Sequence, residues 1–263
     1  MQILEKESVE EGSAASHPAA ITALAASGAF VLSAASLKAR GRQKIPLENA
    51  KGLPERLGDM PLRLIIGGNN PSDHAWSTGH YYSHPANWMW RILKKTGIAP
   101  SWVRGAEDDE RMVSEAGVGF LDVGCGHPGT LLSEFSSETF QSWAPAFYAR
   151  LKAHMERACT NSGCTCSECG APALVGFAGK RQWMELLNVG RKGHDKYTKL
   201  DHGVQHMRPE GWPFPPSTEV WVLPSTSGAA PMSTADRIGP WQELADRVKM
   251  IEWPRKPQCL VKD

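Results

Sequence analysis

Four short apolar runs, each followed by a loop rich in Gly, Pro or Ser, constrain the fold of this chain most strongly. They span residues 62–68, 118–124, 172–180 and 218–224, and helical stretches separate them. Nearly continuous apolar runs are typical of strands buried on both faces of a parallel sheet. The sequence therefore predicts an α/β sandwich with a mostly parallel central sheet. Loops after parallel strands share one edge of such a sheet, where ligands bind.

The remaining organisation follows from helical patterns and composition. Helices are predicted at 87–95, 139–157 and 239–250, and Pro145 is expected to kink or restart the second one. Two segments look inserted, the cysteine-rich residues 159–170 and the Gly/His/Lys-rich residues 190–216. We expect a core domain at 59–253, an N-terminal extension at 1–58 that is partly disordered or helical, and a basic tail at 254–263.

Bulk composition excludes little. With 263 residues, 41% of them hydrophobic, the chain can bury one substantial core. A net charge of +1 neither demands nor excludes an anionic partner. The Ala-rich run at 19–37 follows an acidic N-terminus and contains Ser, Thr and Gly, so it suits neither a secretory signal nor a membrane span. We expect no membrane partner.

The stretch "FLDVGCGHPGTLL", Phe120 to Leu132, suggests a cofactor turn. Gly124, Gly126 and Gly129 have dinucleotide-fingerprint spacing, and "LDVGCG" looks like the first motif of S-adenosylmethionine-dependent methyltransferases. That interpretation needs an acidic residue at the end of a second strand about 20 residues later, and the chain there is helical instead. A P-loop around Lys180 fails because the Gly spacing and the following Ser/Thr are missing. A methyltransferase remains the alternative function.

The segment "GNNPSDHAWSTGHYYSHPAN", residues 68–87, resembles the first motif of the mismatch-specific uracil/thymine-DNA glycosylases. Those enzymes have a Gly-x-Asn-Pro-Gly loop and, at the same spacing, an aromatic-rich stretch that ends in His-Pro-x-Asn or a similar sequence. "PALVGFAGKRQW" and "STEVWVLPSTSGAA" follow in family order, so the resemblance spans roughly residues 61–244.

The resemblance implies a three-layer α/β/α sandwich of the uracil-DNA glycosylase type. It also implies a monomer that hydrolyses the N-glycosidic bond of uracil or thymine opposite guanine in double-stranded DNA, as the first step of base excision repair. No metal or organic cofactor is required in that family. We expect a nuclear protein, with an organelle, or the cytoplasm of a prokaryote, as alternatives. A relative that binds DNA without catalysis is a further alternative.

The resemblance also assigns residues around the flipped base. Asn70 is expected to hold the attacking water, so rate enhancement would come from positioning and from stabilising the departing base. Tyr82 lies where the family places a ring that stacks on the base, although a core tyrosine is the other interpretation. The full expected base pocket is Gly68, Asn69, Pro71, Ser72, Tyr82 and Asp122. Asn87 is interpreted first as a helix cap.

Asp122 departs from the family, which has a polar amide or a lysine at that place. A carboxylate there would repel anionic oxidised cytosines and could accept a hydrogen bond from a pyrimidine N–H or amine, altering the substrate range. Where the family has an Arg-Pro or Thr-Thr run, this chain has "CGHP", residues 125–128.

A second loop is expected to enter the DNA. Its residues are Ser225, Thr226, Ser227, Gly228 and Ala229. The wedge position falls on Ala229 or Ala230, and Pro231 replaces the arginine found nearby in relatives, which weakens the expected preference for guanine opposite the base. Lys180 and Arg181, just after a strand, are candidate phosphate contacts, with solvated surface residues as the alternative.

Four of the six cysteines crowd into eleven residues: Cys159, Cys164, Cys166 and Cys169. Such a group can bind zinc or, as some distant uracil glycosylases do, an iron–sulfur cluster. Free thiols in a loop are the other interpretation, because the spacings differ from common zinc knuckles. The distribution is unlike a secreted disulfide framework and favours a reducing compartment. The histidines of residues 194–206 are interpreted as a solvated loop.

Overall fold

A computed structural model describes residues 51–166, 168–256 and 259. Most of the predicted N-terminal extension, including the Ala-rich run, and the end of the predicted tail lie outside these residues. Within the described part of the chain, none of the helices combines the length and apolar character needed to span a bilayer.

The core is a five-stranded sheet with the order β2-β1-β3-β5-β4. Its strands are β1 (Leu64–Gly68), β2 (Val118–Asp122), β3 (Leu174–Ala178), β4 (Gly203–Gln205) and β5 (Glu219–Leu223). The four predicted apolar runs form β1, β2, β3 and β5, and all four are parallel. β4 pairs antiparallel with β5 and lies within residues 190–216, where no strand is predicted. The predicted mostly parallel sheet is confirmed.

Helices connect the strands and cover both faces of the sheet. They are α1 (Asp73–Thr78), α2 (Met89–Thr96), α3 (Asp109–Ala116), α4 (Ser137–Ser142), α5 (Ala144–Asn161), α6 (Lys180–Leu187) and α7 (Thr234–Lys249). Pro145 lies in the first turn of α5, where a missing amide hydrogen costs nothing, so the chain restarts there as predicted. α7 begins earlier than predicted and continues through Pro240.

The two faces of the sheet carry separate apolar clusters. Leu64 and Ile66 of β1 point into one cluster, and Ile65 points into the other, as the alternation of side chains along a strand requires. Helices α2, α3 and α7 cover the first cluster, and α4, α5 and α6 cover the second. The fold is therefore the expected α/β/α sandwich.

The start of the described chain packs on this core. Leu53 and Leu57 fall inside the predicted extension, yet both are buried. Between them, the backbone of Arg56 pairs with that of Phe120, with N···O distances of 2.9 and 2.8 Å. The neighbouring Glu55 thereby reaches the end of β2, where it binds Arg150.

Candidate active site

The carboxyl ends of β1, β2, β3 and β5 meet at one edge of the sheet, because these strands are parallel. The loops that follow them are residues 69–72, 123–136, 179 and 224–233. The predicted base-pocket and DNA-binding residues lie on or next to these loops, except Tyr82, which lies on the segment after α1. This is the edge at which parallel α/β sheets bind ligands.

Backbone hydrogen bonds join the loop after β1 to the loop after β2. They run from Val123 N to Gly68 O (3.1 Å), from Gly124 N to Asn69 O (2.7 Å) and from Gly129 N to Pro71 O (2.8 Å). Each bond satisfies a polar group that the loop would otherwise leave unpaired. The two loops therefore form a single backbone unit.

The glycine-rich loop lacks the geometry of a cofactor turn. A dinucleotide or S-adenosylmethionine turn leads from a strand directly into a helix whose N-terminus faces the ligand. Here the next α-helix, α4, begins only at Ser137, and β2 is an edge strand of the described sheet. Gly124 and Gly129 bond to the loop after β1 instead.

Asn70 is fixed by its amide nitrogen. Its Nδ2 donates hydrogen bonds to the carbonyl oxygens of Gly129 (2.9 Å), His127 (3.1 Å) and Pro71 (3.1 Å). Because all three neighbouring groups are acceptors, the atom that faces them must be the amide nitrogen and not the oxygen. The Oδ1 atom therefore points away from these carbonyls and is available as a hydrogen-bond acceptor. Asn70 as a whole is half-buried.

The carbonyl of His127 is itself held in place. The His127 ring stacks on Trp143, with ring centroids 4.8 Å apart. Burial, helped by the charge of Arg150, lowers the pKa of His127. The nearby Cys125 is buried, which raises the pKa of its thiol to about 12, so it stays protonated and is unsuited to act as a nucleophile.

Gly68, Tyr82 and Asp122 meet beside this unit. A Cβ atom on Gly68 would lie 2.0 Å from Asp122 Oδ1 and 3.0 Å from Tyr82 Oη, so glycine is required for this close approach. Tyr82 has a φ of 54°, a left-handed conformation that non-glycine residues rarely adopt. Tyr82 Oη and Asn69 Oδ1 are buried and have no hydrogen-bond partner among the described residues.

Asp122 is 4% exposed, and burial is the main reason that its pKa rises to about 7. The charge of Glu55 raises this pKa further, and that of Arg150 lowers it. Arg150 donates to the backbone oxygens of Asp122 (2.8 Å) and Val123 (3.1 Å), which fixes the end of β2. Near neutral pH a large fraction of Asp122 is thus the neutral acid, which can donate as well as accept a hydrogen bond.

A cleft of about 450 Å³ adjoins Tyr82. His74, Thr78 and Trp90 are among the residues that line it, but Gly68, Asn70 and Asp122 are not. The side chains of Asp122 and Tyr82 lie close to the Gly68 backbone, beside this cleft.

Two polar residues of this region cap helices. Ser72 Oγ accepts a hydrogen bond from Ala75 N (3.1 Å), so Ser72 is the N-cap of α1. Asn87 Oδ1 accepts one from Met89 N (2.9 Å), in agreement with the capping interpretation. These bonds fix the two ends of the segment that carries Tyr82.

The loop after β5 is held by Arg237, a residue that the sequence analysis did not single out. Arg237 is 3% exposed and donates to the carbonyl oxygens of Ser225 (2.6 Å), Ser227 (3.0 Å) and Ala230 (2.8 Å). Its guanidinium also lies 5.3 Å from the centre of the Trp88 ring. A signal existed in the sequence, since Arg237 falls on the apolar face of α7 with Trp241, a position where a charge needs buried partners.

Only part of this loop faces solvent. Ser227, Gly228 and Ala229 are exposed, whereas Thr226 is buried and its carbonyl accepts a hydrogen bond from Trp88 N (2.8 Å). A Cβ atom on Gly228 would lie 2.4 Å from the carbonyl oxygen of Ala86, so the loop rests closely on the segment that follows Tyr82. The exposed tip of the loop is therefore residues 227–229.

Lys180 and Arg181 differ in their surroundings. Lys180 is exposed at the start of α6, and its charge acts on His202, where burial first and this charge second lower the pKa. Arg181 donates to the carbonyl of Phe135 (2.5 Å) and lies over the Phe140 ring, so it holds α4 against α6. Of the two predicted phosphate contacts, Lys180 is the more accessible.

The cysteine group differs from the predicted one in a single member. The sulfur atoms of Cys164, Cys166, Cys169 and Cys259 lie within 4.8 Å of one another. Cys159 lies outside this group, because its Sγ donates to Cys166 O (2.9 Å) and accepts from Gly170 N (3.1 Å). Cys259 is so distant in sequence that spacing gave no reason to include it.

The fold and this edge define an α/β domain of the class whose ligand sites lie where the parallel strands end. The family model of the Uracil DNA glycosylase superfamily matches residues 55–245, and the chain belongs to this superfamily. A solution NMR structure from Methanosarcina acetivorans, described as a "putative Uracil DNA glycosylase", is also similar. It shares 19% sequence identity, the match covers 76% of this chain and 98% of that chain, and the TM-score is 0.45.

Proposed function

We propose that this protein is a mismatch-specific DNA glycosylase that flips uracil out of a G·U pair and hydrolyses its N-glycosidic bond, with thymine or a modified pyrimidine as further substrates. The observation that carries the proposal is the fixed amide of Asn70 at the carboxyl edge of the sheet. Membership of the superfamily supports the reaction class. A nuclear location and a monomeric state, both expected from the sequence, stay predictions.

The reaction needs a water, an electrophilic sugar carbon and a stabilised leaving base. Asn70 Oδ1 accepts a hydrogen bond from the water and aims its oxygen at C1′. The C1′–N bond breaks with its electron pair on the base, the water oxygen bonds to C1′, and the released proton passes to solvent or to the base. An amide takes up no proton, so positioning provides most of the rate enhancement.

Asp122 and the backbone of residues 69–72 are the groups that we assign to the departing base. Backbone N–H groups stabilise the negative charge that develops on the pyrimidine. In its neutral form, Asp122 can donate a hydrogen bond to a base carbonyl and does not repel the anion. In its ionised form it would repel an anionic oxidised cytosine. The substrate range of the enzyme should therefore depend on pH around the raised pKa of Asp122.

DNA is proposed to lie across the carboxyl edge. The exposed tip of residues 227–229 is placed to fill the gap that the flipped base leaves, and Lys180 to contact a phosphate. An alanine tip fills little volume, so we expect only a modest preference for guanine opposite the excised base. This chemistry uses water and groups of this chain, and it requires no organic cofactor.

A panel of labelled duplexes tests the proposal. Purified full-length protein is incubated with G·U, A·U and G·T duplexes and with single-stranded uracil DNA, and abasic sites are detected by alkaline cleavage. We expect cleavage of G·U, with the other substrates ranked below it. A duplex with cytosine at the same position is the control. Failure to produce abasic sites from any uracil substrate, by protein that still binds DNA, would favour a non-catalytic relative instead.

A further inference from the structure

The group of four cysteines lies at the edge of the sheet opposite Asn70. Cys164, Cys166 and Cys169 belong to the loop between α5 and β3, and Cys259 belongs to the C-terminal segment. All four are free thiols. Arg255 leads into this segment and donates to the carbonyl oxygens of Leu62 (2.9 Å) and Ala171 (2.7 Å). Those two residues precede β1 and β3, which places the thiols near the amino ends of the strands.

The spacing of the sulfur atoms suits one metal ion. In a tetrahedral site with Zn–S bonds of about 2.3 Å, neighbouring sulfur atoms are about 3.8 Å apart. Here the separation is 3.1 Å from Cys164 to Cys166, 2.7 Å from Cys164 to Cys259, and at most 4.8 Å within the group. An iron–sulfur cluster needs a wider spread, because each cysteine then binds a different iron atom or side of the cluster.

Backbone amides point at the same sulfur atoms. Cys166 N donates to Cys164 Sγ (3.3 Å), Cys169 N to Cys166 Sγ (3.2 Å) and Cys259 N to Cys169 Sγ (3.4 Å). Such donors stabilise the thiolate form, because each aims the positive end of a dipole at the sulfur. The guanidinium of Arg255 is also close enough to Cys169 for their charges to interact.

We propose that Cys164, Cys166, Cys169 and Cys259 bind one structural zinc ion. Each thiol releases its proton to solvent on binding, so that four thiolates surround Zn²⁺ with a net charge of −2, part of which Arg255 offsets. Four protein ligands close the coordination shell, so the metal activates no water and takes no part in base excision. The ion instead ties the C-terminal segment to the loop before β3.

Metal analysis of full-length protein, produced without a metal-affinity tag, tests this site directly. We expect one zinc per chain and, by X-ray absorption at the zinc edge, four sulfur neighbours at about 2.3 Å. A mercurial that reacts with thiols should release that zinc. Iron in place of zinc, oxygen or nitrogen neighbours, or a metal-free protein with a Cys164–Cys259 disulfide in its mass spectrum would each overturn the proposal.

Two serine variants locate the ligands. Cys259→Ser changes an exposed residue of the terminal segment, so the fold should survive while zinc affinity falls at least tenfold and the melting temperature drops. Cys159→Ser is the matched control, because a hydroxyl can make both hydrogen bonds of the Cys159 thiol. It should keep one tightly bound zinc. Equal zinc affinity in the two variants would contradict the assignment, whether both affinities equal that of the wild type or both are lower.

Discussion

The two loops of the candidate site are held in different ways. The loop after β1, residues 69–72, is tied to its neighbour by backbone hydrogen bonds, which any sequence with the same backbone could form. The loop after β5 depends mainly on the side chain of Arg237, which bonds three of its carbonyl oxygens, while Trp88 N bonds the carbonyl of Thr226. The loop proposed for chemistry is thus fixed by backbone bonds together with the amide of Asn70, and the loop proposed to enter DNA is fixed largely by one replaceable side chain.

Because of this difference, we expect substitutions in the first loop to affect catalysis and substitutions that release the second loop to affect DNA binding. Positioning catalysis needs a rigid arrangement, since small displacements of the reacting groups cost large factors in rate. Substitutions in the first loop keep its backbone hydrogen bonds, so they should change its shape less than they change the chemical groups that it presents. A substitution at Arg237 should change the shape of the second loop without removing any group that touches the base.

Asn70→Ala should have the largest effect. It removes the proposed water-holding oxygen and the three hydrogen bonds that Asn70 Nδ2 donates, while the backbone bonds from Gly124 and Gly129 remain. We expect the single-turnover rate of uracil excision from a G·U duplex to fall by about 10²–10³-fold, the usual loss when one preorganised polar group is removed. The dissociation constant for that duplex should change by less than about threefold.

Asn69→Ala is the matched control for this prediction. The side-chain oxygen of Asn69 is buried and has no hydrogen-bond partner among the described residues, so its removal should cost less than about tenfold in rate. Thermal unfolding verifies that both variants are folded. A folded Asn70→Ala protein with more than a tenth of the wild-type rate would remove Asn70 from the mechanism.

Arg237→Ala should act on the second loop. It removes the guanidinium donor from the carbonyls of Ser225, Ser227 and Ala230, of which, within the described chain, only that of Ser227 keeps a backbone bond, from Ala230 N. We expect the free energy of unfolding to fall by about 2–3 kcal/mol. The KM for duplex DNA should rise by about tenfold, with kcat within about threefold of wild type. Urea denaturation and steady-state kinetics on a G·U duplex measure the two effects.

Arg91→Ala provides the comparison for Arg237. The Arg91 guanidinium lies over the same Trp88 ring, 5.4 Å from its centre, but the residue is exposed. Its loss should change the free energy of unfolding by less than about 0.5 kcal/mol. If the two variants had the same KM, the loop would not depend on its guanidinium tether.

The sequence predicted the sheet because burial on both faces leaves a strong pattern. Each of the four apolar runs became a strand, and Pro145 marked the restart of α5. The edge strand β4 was missed because it has three residues and one partner, too few for a periodic signal. The burial of Leu53 and Leu57 was not predicted, because they are isolated apolar residues in a polar stretch.

The sequence predicted the position of those candidate site residues that belong to a recognisable motif. The motif located Asn70, and the structure adds that carbonyls of a second loop hold its amide. Cys259 was missed because only the tertiary fold brings it to the other cysteines, and Arg237 was missed although its place on the apolar face of α7 was a usable signal. The raised pKa of Asp122 was also beyond the sequence, since it depends on burial and on the position of Glu55.

Asp122→Asn tests whether the buried carboxyl group of Asp122 is protonated in the folded protein. The pKa of Asp122 is about 7 in the fold against an ordinary 3.8, so between these values the folded state keeps a proton that the unfolded state has released. Stability from this group is complete below pH 3.8 and is lost as pH rises towards 7. Relative to Asp122→Asn, the wild type should lose about 1.4 kcal/mol of unfolding free energy per pH unit in that interval.

Urea denaturation of both proteins at several pH values measures this difference. The wild type must be compared with Asp122→Asn at each pH, because His154 changes the pH dependence of stability in the opposite direction. Both proteins contain His154, so its effect cancels in the difference. Burial lowers the pKa of His154 from 6.5 to about 4, so its contribution to stability is lost as pH falls through that range. A flat difference between wild type and Asp122→Asn would mean that Asp122 is ionised in the fold. Comparing the two proteins on uracil and carboxylcytosine then tests its role in substrate choice.

Exposed lysines at the carboxyl edge should have the smallest effect. Lys180 begins α6 at this edge and acts on His202, and the exposed Lys199 lies three residues before that histidine. We expect the double variant Lys180→Gln/Lys199→Gln to raise the KM for duplex DNA by about threefold at low salt. The salt dependence of binding should weaken by about one unit of slope for each phosphate that the variant no longer neutralises.

The matched control replaces two exposed lysines at the other end of the helices, Lys95 and Lys249. Lys249 ends α7 beside Gly97, away from the loop that α7 follows. This double variant has the same net charge as the first, so a general loss of attraction for DNA would affect both equally. A salt slope lowered only by the Lys180/Lys199 change would assign phosphate binding to the carboxyl edge. Equal slopes would leave the tip of the second loop as the main proposed DNA-binding element.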